Sequence, residues 1–122
     1  MRGGGRLGAE AWRLSGVAVT RQDPSDALDV GAYKALDLAA RLYGTEGTSP
    51  SVTFYLQGSM QNAKDDDALW VTLATFAALS TAGTTAMVSV TTGLPRYVRW
   101  KADVSGTSPA VTFTITGMGH RG

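Results

Sequence analysis

Few residues in this sequence are able to do chemistry. There is a single histidine, His120, and there is no cysteine. A zinc site and a Cys/His nucleophile therefore lack their ligands, and a Ser-His-Asp triad would have to be built on His120 alone. The run Asp65-Asp66-Asp67 offers the hard oxygen donors that calcium takes. Its spacing is not that of an EF-hand loop, and neighbours in an extended segment point to opposite sides, so a solvated loop is expected. Asp23, Asp26 and Asp29 stand in an Asp-Pro-Ser-Asp context that reads as turn and cap chemistry. Gly3-Gly4-Gly5 follows no strand and so cannot be a phosphate-cradling loop. These residues predict a protein that is not an enzyme and has no metal and no cofactor.

Two groups of residues are suited to contacts. In Arg96-Tyr97-Val98-Arg99-Trp100 the residues alternate. With Val98 and Trp100 inward, Tyr97, Arg99 and Lys101 form a basic-aromatic outer stripe able to meet sugar, nucleic acid or an acidic protein surface. The plainer reading is an exposed strand face whose Arg stems lie along their neighbours. The second group is the N-terminal MRGGGRLG, with four glycines in eight residues. Such a segment forms no stable element alone. Arg2 and Arg6 supply charge-assisted hydrogen bonds, and Leu7 and Trp12 supply apolar surface. Residues 1–13 are expected to be an arm reaching a neighbouring subunit or a shell, the plainer reading being a solvated tail, with residues 14–122 as one domain.

The elements that must position these residues are strands. GTSPSVTFYLQG (47–58) returns as GTSPAVTFTITG (106–117), a shift of 106 − 47 = 59 positions. Each copy has a Gly-Thr-Ser-Pro turn followed by period-two alternation, and each is preceded by another alternating run: Leu36, Leu38, Ala40, Leu42 and then Val98, Trp100, Ala102, Val104. The pattern predicts a β-hairpin used twice, with Val52, Phe54, Val111 and Phe113 in the core. KALDLAARLYG has helical propensity, but its period and its place in the repeat favour a strand. Further strands are expected at 14–20, 69–76 and 85–91, with a short edge segment around Leu28, Val30 and Tyr33. Seven or eight short strands at near-regular spacing predict an all-β antiparallel sandwich of jelly-roll type.

Composition agrees. At 122 residues the chain has room for one core, and 43% hydrophobic content is ordinary for a globular chain. A net charge of +1 argues against general nucleic-acid binding. No apolar run reaches membrane-spanning length and no signal-type apolar core opens the chain, which predicts folding in the cytoplasm.

Two resemblances rest on quoted residues. Ser59, a polar loop, Trp70, the apolar strand to Phe76 and then Arg96-Tyr97-Val98-Arg99 resemble the discoidin or galactose-binding-like jelly rolls. Over about residues 28–117, the Gly-Thr-Ser-Pro turns feeding Thr-rich strands resemble small structural proteins of tailed phages. The latter implies a head decoration or minor capsid protein, a homo-oligomer that binds a major capsid protein or another virion protein. The former implies a carbohydrate- or surface-binding module on a tail or particle exterior.

Overall fold

Alternation of apolar and polar residues over two long stretches predisposes both to lie extended with one face buried. The computed structural model of the chain describes residues 12–16, 18–21, 28–31, 33–61, 67–91 and 93–120. In it the strands are β1 (Trp12–Ser15), β2 (Ala18–Arg21), β3 (Leu28–Asp29), β4 (Ala35–Ser59), β5 (Val71–Thr75), β6 (Thr85–Val90) and β7 (Tyr97–His120), with a 3₁₀ turn at Asp67–Leu69. All seven join one antiparallel sheet, and the described residues contain no α-helix. KALDLAARLYG is strand from Ala35 onward, as its period implies.

The two Gly-Thr-Ser-Pro turns do not close hairpins. The segments flanking each turn belong to one long bent strand, and β4 pairs with β7 from Ala35↔His120 to Ser59↔Tyr97. Residues 35–42 thus lie beside 113–120, and 51–59 beside 97–105. Each turn is a corner, and the two corners stack. A Cβ on Gly47 would come 2.4 Å from the Ser108 carbonyl oxygen, and one on Gly106 would come 2.8 Å from that of Ser49. Only glycine permits that approach, and both residues also have positive φ (95° and 125°). Register shifts fall on either side of Thr48, where Pro50 brings no N–H to the ladder.

The expected strand at 14–20 is likewise two strands broken at Gly16 (φ 88°). β1 pairs with 110–113 and β2 with 101–104, so the break follows the corner of β7, and the Gly16 N–H donates to the Pro109 carbonyl at 2.8 Å. β6 lies beside 36–41 and β5 beside 55–58. Two ribbons result, continuous through the corners: β1, β7 (110–120), β4 (35–43), β6; and β2 with β3, β7 (97–104), β4 (51–59), β5.

The inward rows of the two ribbons meet in the core. Val52, Phe54, Leu56, Val98, Trp100, Ala102, Val104, Val111, Phe113 and Ile115 are all buried. Phe54 and Phe113 stand on segments that do not pair with each other, yet their ring centroids are 4.5 Å apart, and Trp100 meets Phe113 edge-on at 5.2 Å. Each fully buried large apolar side chain of this kind contributes about 1.5–3 kcal/mol relative to exposure. Val30 and Tyr33, expected in a short edge segment, are buried just beyond β3.

Candidate functional site

Residues of the outer face of the second ribbon follow from parity. Paired residues share a face, so Tyr55 stands beside Lys101, Gln57 beside Arg99 and Ser59 beside Tyr97. Lys101 Nζ lies 5.2 Å from the centre of the Tyr55 ring, and the Arg96 guanidinium carbon lies 5.2 Å from that of Tyr97. Arg96 also donates from Nε and Nη2 to Asp29 Oδ2, both at 3.3 Å. The Asp29 carboxyl is held below its ordinary value first by the Gly31 N–H at 3.0 Å and further by Arg96.

Arg99 departs from the predicted exposed stripe. It points to the outer side, as its parity requires, but only 2% of it is exposed. Trp70, placed just after the 3₁₀ turn, covers it with the indole 4.4 Å from the guanidinium carbon. Arg99 Nε donates to Gln57 Oε1 at 2.9 Å, and Gln57 and Ser59 are buried with it. This is a stacked, hydrogen-bonded polar cluster laid over the sheet. The half-exposed Tyr97 and Lys101 remain at the surface on either side of it.

Of the arm, Arg2, Arg6 and Leu7 lie outside the described residues, as do Asp23, Asp26, Asp65 and Asp66. The backbones of Trp12 and Arg13 run in β1, with Trp12 opposite Phe113, so the sheet begins inside the expected arm.

A constellation that the sequence reading did not assemble lies on the outer face of the first ribbon. Asp37 Oδ1 accepts from Ser89 Oγ at 2.6 Å, and Asp37 Oδ2 lies 2.7 Å from His120 Nε2. These bonds, the one from Ser89 first, hold the Asp37 carboxyl below its ordinary value. The three residue types are those of a hydrolytic triad, but the order differs. Here the carboxylate is the middle member, whereas nucleophilic catalysis needs the imidazole between hydroxyl and carboxylate. Four positions along β4, Arg41 donates from Nη1 to Thr85 Oγ1 at 3.2 Å and its guanidinium carbon lies 5.3 Å from the Tyr43 ring centre. Same-face spacing of Asp37, Ala39 and Arg41 was legible in the sequence, but their partners on β6 and β7 depend on which strands pair. Among the described residues no cluster of three His, Cys, Asp or Glu side chains is placed to hold a metal ion. No helix among them is long and apolar enough to cross a membrane.

A scan against protein-family models and a search of curated proteins found no match to this chain.

Proposed function

We propose that the chain is a jelly-roll structural protein of a virion, a capsid decoration or minor head protein that docks on an assembled shell through protein–protein contacts and performs no catalysis. The observation that carries this reading is the strand order. Setting aside the two-residue β3, which extends the β2 border along β7, the eight straight segments in chain order are β1, β2, the two arms of β4, β5, β6 and the two arms of β7. They pair first with last, second with seventh, third with sixth and fourth with fifth. A long antiparallel ribbon rolled over on itself in this order is the jelly roll, an architecture of viral capsid domains and of lectins. Fold alone hosts several functions, so the faces matter. Thr112, Thr114 and Thr116 are half-buried on the outer side of β7, and Met87, Met118 and Tyr43 are exposed. Short hydroxyl and flexible apolar side chains on a strand face suit docking against another protein surface.

The second reading is a carbohydrate- or surface-binding module on a particle exterior. It is favoured by the Tyr55–Lys101 and Arg96–Tyr97 pairs, each of which sets an aromatic ring beside a cation. One experiment separates the two. Particles from a producing culture are banded on a density gradient and imaged in negative stain with gold-labelled antibody against the chain, with and without prior washing in competing sugars. Label on intact shells that sugars do not remove supports the decoration reading. Release by sugar supports the binding module. A chain found only in the soluble fraction, with unlabelled particles, overturns both.

A further inference from the structure

Every open sheet has edges, and an edge strand offers a row of free backbone donors and acceptors to another chain. Five strands border the ribbons here, and they differ in protection; β3 is only two residues long and ends in Asp29. β1 and β2 each contain a cation, Arg13 and Arg21. β5 faces a register shift between Leu56 and Gln57. β6 has no such guard. Its six residues, TAMVSV, hold no charge and no proline, and its register with β4 is unbroken from Leu36↔Val90 to Arg41↔Thr85. Among the described residues β4 is its one strand partner. Met87, midway along β6 on the outer face, is 74% exposed.

The charges beside this edge are arranged with opposite signs at its two ends. Asp37 is bonded to Ser89 at one end, and Arg41 is bonded to Thr85 at the other. Each charge thus reaches the edge strand through a hydroxyl that β6 itself presents. A second copy of the chain, related by a two-fold axis through Met87, would bring its own β6 alongside in the antiparallel sense. Paired residues must share a face, so Met87 would lie opposite Met87 of the second copy, and Ser89 opposite its Thr85. The row across the junction would then read Asp37, Ser89, Thr85 of the second copy, Arg41 of the second copy. Each copy's anion would thus share one such row with the other's cation, one row on either side of the axis, linked through the two hydroxyls between them, with the two methionines closing the middle.

From this complementarity we infer that β6 is an isologous self-association edge, and that two chains join β6 to β6 into one continuous sheet. The inference goes beyond the virion reading and does not depend on it. A full-length chain that docks on no shell would still dimerise, and a monomer could still decorate.

The absence of cysteine gives a direct test. Cβ atoms of directly opposed residues lie about 4.5–5.5 Å apart, within reach of a disulfide after a small adjustment. Met87→Cys in the full chain is therefore expected to form disulfide-linked dimers under mild oxidation, while Met118→Cys, exposed on the same face but away from the edge, stays monomeric under the same conditions. Sedimentation of the unmodified chain from about 1 μM to about 1 mM should show a monomer–dimer equilibrium, weakened by salt. Met87→Lys, which sets two ammonium groups against each other at the axis, should weaken the dimer about tenfold or more without lowering the Tm measured at concentrations where the chain is monomeric. Arg41→Glu should weaken it also, and Arg41→Glu with Asp37→Lys should restore it. A chain monomeric throughout that range, equal cross-linking at both positions, or a dimer indifferent to Met87→Lys overturns the inference.

Discussion

Arg99 carries a cation into a position where water cannot serve it. Its planar guanidinium can stack on Trp70 while its Nε edge donates to Gln57, and a lysine ammonium cannot do both. Arg99→Lys is therefore expected to cost about 1–3 kcal/mol in urea melts. A loss within error would mean that the stack contributes nothing. At the surface, Asp37 gives a different kind of prediction. Its folded carboxyl titrates below the unfolded value, so the stability it contributes is present above the unfolded pKa and is lost as pH falls through the lower folded one. The loss belongs below about pH 4. Carboxyl NMR should show Asp37 titrating below an ordinary aspartate. Ser89→Ala should move it back upward more than His120→Ala does, since the hydroxyl is the larger influence; the reverse order would refute that ranking. Parity in the sequence placed Arg99 on the outer side correctly. What it could not give was the cover, because Trp70 lies 99 − 70 = 29 positions away and arrives through a turn with no periodic signal.

The corner is the element on which the chain's architecture turns. Gly-Thr-Ser-Pro is sound hairpin chemistry, and the alternating arms on either side have matching inward faces, so the sequence supports a hairpin as well as a corner. Alternation fixes which face a residue takes, not which strand lies beside it. The inward residues were therefore legible, from Val52 and Phe54 to Val111 and Phe113, while the pairing of 35–42 with 113–120 was not. The deciding feature is the mutual approach of the two corners, a long-range contact. It yields a graded prediction. Gly83→Ala meets open space and bears only the positive-φ strain (φ 89°), about 1–2 kcal/mol. Gly47→Ala adds a 2.4 Å clash with backbone and should cost clearly more, about 3 kcal/mol or above. Equal losses in thermal melts would mean that the corners do not stack. Ser49 and Ser108 hold φ of 50° and 47°, so replacing either by glycine should be tolerated to within about 1 kcal/mol.

The molecule as a whole is interlocked between its two copies of the repeat. β1 and β2 lie along β7, whereas β5 and β6 lie along β4, so neither half of the chain keeps its own neighbours. Even the nearest rungs between β4 and β7 join residues 97 − 59 = 38 positions apart, and the farthest join residues 120 − 35 = 85 apart. A topology dominated by such closures should fold slowly for its size, in milliseconds to seconds, and should have no half able to survive alone. Phe113 sits where this matters most. It is fully buried, with Phe54 of the other ribbon at 4.5 Å and Trp100 at 5.2 Å. Phe113→Ala is expected to cost about 3–5 kcal/mol. More specifically, calorimetry of this variant and of Leu56→Ala, on the other long strand, should each show one transition whose calorimetric and van't Hoff enthalpies agree. Two separable transitions, or a Phe113→Ala loss below about 1 kcal/mol, would mean that the two ribbons fold as independent bodies and that the corners merely tether them.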